Sequence, residues 1–260
     1  QPESSAWLDG ANTTRAETAR GYVEGAFGSF LSELAARSGT PGNTQQLTEL
    51  EVRFRYNQGF TSQQAIPPGV LMMLMMMIPA MLTALGVVRE KELGSITNLY
   101  AAPASRFEFL AGKQLPYIGI ALVSFGTMML MIFLLFGLAP KSSVPVLLAG
   151  AVLYATAATG FGLLASTVAT SQVAAVFGTA IIVLVPTINF SGMLTPVATL
   201  NTVSRAIGQA FPSAHFQIIS AGVFNKGLSA AALAPNLAIL AGFCLLYWTA
   251  SSLLLPKQDR

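Results

Sequence analysis

Four stretches of this chain carry no Asp, Glu, Lys or Arg: 56–88, 114–140, 142–204 and 227–256. A membrane-spanning helix needs about 20 predominantly apolar residues in a row, so these stretches hold one, one, two and one spans. Charge is scarce as well as segregated. Of 14 Lys and Arg and 11 Asp and Glu, twelve lie in residues 1–65, seven in 89–113 and six elsewhere. Charged residues make up 10% of the chain and apolar ones 53%, with a mean hydropathy of +0.61. A soluble domain carries about 25% charged residues, so a soluble enzyme is excluded. The net charge of +3 is too small and too scattered to mark a nucleic-acid surface. The one cysteine, Cys244, lies in an apolar run and cannot form an internal disulfide.

Residues 1–65 read as a small water-facing piece. Thr14 and Glu17 have capping-box spacing, each side chain able to satisfy an orphan N–H at a helix start. Tyr22, Val23, Ala26, Phe27, Phe30, Leu31 and Leu34 recur at helical intervals until Gly39 and Pro41 end the helix. After a polar loop, Leu50, Val52, Phe54 and Tyr56 alternate with Glu51, Arg53 and Arg55, which predicts a strand with one apolar face. One helix and one strand make a thin core, so this piece reads as part of a larger domain.

The spans are expected near 66–88, 115–138, 144–168, 173–190 and 235–255. The first is introduced by Pro67-Pro68, is rich in methionine and contains Pro79, which should kink it. Ala139-Pro140-Lys141-Ser142-Ser143 forms a short turn, and Thr167, Thr170, Ser171 and Gln172 divide the long uncharged stretch in two. Tyr247 and Trp248 suit an interfacial position near the chain's end. Five spans put the termini on opposite sides. With 1–65 outside, Lys and Arg number six inside (Arg89, Lys91, Arg106, Lys113, Lys257, Arg260) and five outside (Arg53, Arg55, Lys141, Arg205, Lys226), close to neutral. Nothing in 1–65 resembles a signal peptide, so export of this piece calls for a further span upstream.

Chemistry-bearing motifs are missing. There is no G-x-x-x-x-G-K-[ST], no H-E-x-x-H, no C-x-x-C and no G-x-S-x-G. The chain therefore binds no ATP through a P-loop of its own. No catalytic, cofactor or metal residue is predicted. The sole histidine, His215, has no second ligand near it in sequence and reads as a hydrogen-bonded structural residue. Met72, Met73, Met75, Met76 and Met77 point all around a helix and lack a partnering Cys or His, so packing is preferred to a Cu(I) path.

Residues 89–113 are the most informative. Leu93, Ile96, Leu99 and Tyr100 share one face of a short helix that Pro103 stops. Phe107, Phe109 and Leu110 then mix with Arg106, Glu108 and Lys113 in a second amphipathic piece. Composition suits an interface-lying loop between two spans; it also suits a helix that docks a soluble partner.

The run from Val88 to Tyr117, VREKELGSITNLYAAPASRFEFLAGKQLPY, resembles the signature loop of ABC-2 type membrane permeases. Phe190-Ser191-Gly192-Met193-Leu194-Thr195-Pro196 and Phe211-Pro212-Ser213-Ala214-His215-Phe216 resemble the family's outer re-entrant hairpin. The resemblance extends from about residue 45 onward and leans toward the membrane domain of RbbA-type ribosome-associated ATPases and their free-standing permease relatives. It implies an all-α polytopic protein of six spans, five of them here, with a small α+β extracytoplasmic piece at 1–65 as the last part of a larger domain. It implies a coupling loop at 89–114, with Glu90, Glu92, Leu93, Gly94, Ile96 and Leu99 facing the ATPase. It also implies an outer hairpin at 192–234 that includes Gly192, Pro196, Phe211, Pro212 and His215.

Two functions follow from the resemblance. One is a permease half of a dimeric ABC-2 exporter in a bacterial inner membrane. The other is a membrane anchor that regulates a ribosome-associated ATPase and transports nothing. Either way the resemblance implies no enzyme activity in this chain and no cofactor of its own. ATP and Mg would belong to a nucleotide-binding domain, separate or fused upstream. A second permease copy and the bilayer are further partners, with room for a periplasmic adaptor.

Overall fold

The computed structural model of the chain describes residues 6–9, 13–38, 52–55, 62–94, 106–194, 197 and 200–254. They fall into two compact units, Gln1–Ala65 and Ile66–Arg260. In the first, β1 (Ala6–Asp9) pairs in parallel with β2 (Val52–Arg55), with Leu8 opposite Phe54. Parallel strands need a crossover, and α1 (Thr13–Ser38) lies within it. The helix opens one residue ahead of the expected cap at Thr14. Ala16, Ala19, Val23, Phe27 and Leu31 form its shielded row, while Tyr22 and Phe30 stay exposed.

The second unit is almost entirely helical. Among the described residues five helices are long and apolar enough to cross a membrane: α2 (Ser62–Glu92), α3 (Arg106–Phe136), α4 (Val144–Val168), α5 (Gln172–Phe190) and α8 (Ala230–Leu254). Between α5 and α8 come α6 (Thr202–Gln209), α7 (Pro212–Ala221) and a π-helical turn at Gly222–Lys226. Several boundaries differ from the sequence expectation. The amphipathic piece at 106–113 is not separate: it is the start of α3, whose spanning part runs Leu110–Phe136. That helix ends at Phe136 because Gly137 turns to φ +61, which an L side chain resists. Pro67 and Pro68 lie inside α2 rather than ahead of it, Pro79 lies inside it as expected, and α8 begins five residues before Pro235.

Packing centres on α4. Its buried positions include Gly150, Ala151, Ala155, Ala157, Ala158, Gly160 and Gly162, with Leu147, Tyr154 and Leu163 as the large members. In lipid there is no hydrophobic drive between helices, so close van der Waals approach must hold them, and small residues allow it. Gly162 shows how close: a Cβ there would lie 2.3 Å from the Ala80 carbonyl oxygen of α2. Tyr154 stacks on Phe216 of α7 at 4.3 Å between ring centroids, both fully buried. The methionines join this core, with Met72, Met75 and Met76 at most 1% exposed. Apolar side chains at Phe133, Leu134 and Leu135 of α3, Phe177 and Ile181 of α5, and Leu245 of α8 are exposed instead, as a lipid-facing surface requires.

Candidate functional site

The polar groups of the second unit gather at its two ends. At one end α2 stops at Glu92 because Gly94, at φ +70, provides the left-handed residue that closes a helix, its N–H bonded to the Lys91 carbonyl. Three consecutive side chains of that last turn reach three neighbours. Glu90 pairs with Lys113 of α3. Lys91 Nζ donates to the Ser166 carbonyl of α4 at 2.5 Å. Glu92 accepts from the backbone N–H of Gln172 at 2.8 Å and from its side-chain amide at 2.5 Å.

The last two contacts have an electrostatic logic. Ser166 lies in the final turn of α4, where carbonyls lack partners and the helix end is partly negative; Gln172 is the first residue of α5, whose end is partly positive. A cation therefore meets the first and an anion the second. Ser171 completes the α5 cap by accepting from the Ala174 N–H at 3.2 Å. Beneath this layer Gln114 of α3 donates to the Thr156 carbonyl at 2.7 Å and the Thr159 hydroxyl at 2.9 Å.

Of the residues expected to meet an ATPase, Glu90 and Glu92 belong to the last turn of α2 and are engaged inside the chain. The first residues of the expected coupling loop, 89–92, thus form the end of a span. Leu93 follows in a turn, 67% exposed. Ile96 and Leu99 lie outside the described residues. Lys113 and Gln172 stood out in the sequence for other reasons, but none of the pairings with Lys113, Ser166 and Gln172 was legible there, because each spans 23 to 80 residues of chain.

At the opposite end the segment 192–229 holds α6, α7 and the π turn. Eight of the ten residues of α7 are buried, among them Pro212 and His215. Ser213 bonds to the Tyr154 hydroxyl of α4 at 3.0 Å and to Thr187 of α5 at 2.9 Å, while Tyr154 also reaches the Met72 carbonyl of α2 at 3.1 Å. Ser220 donates to the Pro68 carbonyl at 3.2 Å. His215 Nδ1 sits 3.2 Å from Asn236 of α8, and its Nε2 lies 3.0 Å from the Gln209 carbonyl. That is a positioned, hydrogen-bonded histidine.

Gly192 takes φ +92, and a Cβ on Gly208 would fall 2.2 Å from the Phe190 carbonyl oxygen, so α6 lies against the end of α5. Phe211 packs edge-on against Phe161. Pro196 is outside the described residues. Slow backbone hydrogen exchange is expected through 212–221, with faster exchange at the exposed start of α6; uniformly fast exchange over 202–221 would mean a loose loop.

Among the described residues no three His, Cys, Asp or Glu side chains come together to hold a metal ion. Polar side chains are braces at both ends, on a multi-pass helical body built around α4. Such an arrangement defines a multi-pass membrane protein.

The chain belongs to the ABC-2 family transporter proteins, whose family model matches residues 1–253. It is a membrane transporter permease by family. It is 28% identical over 232 residues to the Escherichia coli K12 protein named "Probable multidrug ABC transporter permease YbhS", covering 89% of this chain and 61% of that relative. It is 25% identical over 222 residues to YbhR of the same strain, named in the same terms, covering 85% of this chain and 59% of the relative. The K12 protein named "Inner membrane transport permease YhhJ" is 26% identical over 232 residues, covering 87% and 60%. The chain thus spans about three fifths of the length of these curated relatives. No solved structure matches it.

Proposed function

We propose that this chain is the membrane-spanning part of an ABC-2 exporter, driven by a nucleotide-binding domain that holds ATP and Mg on the charged side of the second unit. The observation that carries this reading is the brace at the end of α2. Glu90 ties it to α3, and Lys91 and Glu92 tie it to the α4–α5 corner, so the segment 95–105 leaves from a platform connected to four spans. Force applied to that segment reaches the helices that would line a path. Exposed Leu93 begins the contact surface, and Ile96 and Leu99 follow it at helical spacing in the sequence. A second copy of the permease, or a close homologue, completes the path, and a periplasmic adaptor fits the outer side.

The multidrug and transport names of the relatives favour export of lipophilic, drug-like compounds over the other reading, a transport-inactive anchor for an RbbA-type ribosome-associated ATPase. The test is ATP-dependent movement of ethidium in proteoliposomes holding the full-length protein and its ATPase. Movement that disappears when the ATPase cannot hydrolyse ATP supports the exporter. ATPase stimulation without movement of ethidium or other lipophilic cations would favour the anchor.

In this reading residues 1–65, 139–143 and 192–229 face the periplasm, while 89–113 and the end of α8 face the cytoplasm of a bacterial inner membrane. Single cysteines at Ser38 and Ser95, placed in a Cys244→Ser background of the full-length protein, check it. An impermeant thiol reagent applied to whole cells should label the first and spare the second; the reverse pattern inverts the topology.

A further inference from the structure

Two adjacent side chains, Lys91 and Glu92, hold the facing ends of two different spanning helices. We infer that they are positioning residues that make α4 and α5 move with the end of α2 when the 95–105 segment is displaced. The inference rests on the coupling reading above and adds the route that motion takes into the bilayer. Lys91 and Glu92 touch no ligand; they act through α4 and α5.

The geometry supports this in three ways. First, each residue makes a contact to backbone, Lys91 to the Ser166 carbonyl and Glu92 to the Gln172 N–H, so each is tied to the position of a helix end; the Gln172 side-chain amide adds a second bond to Glu92. Second, each charge sits on the helix end that its sign suits, a cation on the closing turn of α4 and an anion on the opening turn of α5. Interchanging the charges would repel both. Third, Gly94 at φ +70 ends α2 two residues later, so the brace is the last rigid point before the loop. Motion that enters from the α2 side of the loop meets α4 and α5 here, while the other side of the loop leads into α3. The Glu90–Lys113 pair joins α2 to α3, its own neighbour across that loop, and is a separate link.

A brace of this kind differs from a purely stabilising contact in what its loss does. If it only stabilised the fold, weakening it would lower the yield and melting temperature and leave the coupling of surviving molecules intact. If it transmits motion, folded and assembled molecules should hydrolyse ATP at the basal rate and fail to respond to the permease.

Four variants of the full-length protein separate these: Lys91→Met, Glu92→Gln, Glu92→Asp, and the exchange Lys91→Glu with Glu92→Lys, which keeps the net charge. Each is reconstituted with the ATPase, and assembly, basal hydrolysis and permease-dependent stimulation are measured. Permease-dependent stimulation should fall by about fivefold or more in the exchanged pair, within the usual range of coupling between sites. The KM for ATP and complex assembly should be unchanged, and Glu92→Asp should retain most of the response.

A second readout does not involve the ATPase. Spin labels on cysteines replacing the exposed Leu93 and Val173, in the Cys244→Ser background, should give a narrow distance distribution that broadens in the exchanged pair. An unchanged distribution, or a broadened one with intact stimulation, overturns the transmission role. If the unmodified permease neither binds nor stimulates the ATPase while the label distribution is narrow, it is the coupling reading that fails, and the transmission role falls with it.

Discussion

Replacing Gly162 with Leu is expected to remove most of the folded protein from the membrane. The helices α2 and α4 cross there with backbone against backbone: a Cβ on residue 162 would lie 2.3 Å from the Ala80 carbonyl oxygen, 3.1 Å from its carbon and 2.9 Å from Thr83 Cβ. Atoms of a helix backbone cannot step aside as the tip of a side chain can. The two helices must separate, and with them the core that includes Met76, Ala80 and Ala158. Overpacking a well-filled core costs about 1–3 kcal/mol, and more where backbone must move.

Even Gly162→Ala should lower the apparent Tm by several degrees, with Leu worse. Gly178 of α5 has open space around the same position, so Gly178→Ala is the matched control and should melt as the unmodified protein does. Size-exclusion profiles and thermal melts of detergent-purified protein decide the matter. A Gly162→Leu variant with the melting temperature of Gly178→Ala would mean that α2 and α4 do not cross there.

The second large effect concerns function. Ile96→Asp is expected to leave the spans folded and to disconnect the permease from its ATPase. In the coupling reading Leu93, Ile96 and Leu99 enter a groove on the nucleotide-binding domain, and burying each aliphatic side chain contributes ~1.5–3 kcal/mol before ordering costs. Losing one such contact, with a carboxylate left in its place, weakens association by roughly tenfold to a hundredfold. Membrane expression and melting temperature should stay at the unmodified level, because the substitution lies beyond the end of α2. The measurement is stimulation of ATP hydrolysis in reconstituted complexes at matched protein levels. Stimulation equal to that of the unmodified permease, with the complex intact, would remove Ile96 from the contact.

The spans were legible because charge exclusion is a property of each residue taken alone. Uncharged runs mark the five helices within a few positions whatever their neighbours do. Boundaries suffered where local and tertiary signals compete. Pro67-Pro68 marks a helix start in isolation, yet α2 passes through both prolines. The residues 106–113 look like a surface piece because they are amphipathic. They continue into α3 because Lys113 finds Glu90 and Gln114 finds Thr159. β1 is four residues long and pairs with a strand more than 40 positions away, too short for periodicity to show.

At the candidate site the sequence singled out the loop at 89–113, and the family resemblance placed Glu90 and Glu92 toward a partner. The structure engages both within the chain, Glu90 with Lys113 and Glu92, still exposed, with Gln172. The reason is geometric: a carboxylate at the end of one helix can cap the start of another only after folding has brought 80 residues of chain back to it. His215 was readable as structural from its isolation, but Asn236 and the Gln209 carbonyl that hold it were not.

The glycine and alanine face of α4 also bears on how such a chain can vary. Where a helix meets its neighbours through backbone, the tolerated alphabet at those positions shrinks to one or two residues. Where a helix meets lipid, as at Leu134 or Phe177, any apolar side chain serves. A saturation mutagenesis survey scored by surface expression should therefore show a sharp periodic intolerance along 150–162 and broad permissiveness on the outward faces of α3 and α5. Those permissive faces are where descendants of this scaffold can acquire new lipid preferences or new membrane neighbours, while the axle they turn around stays fixed.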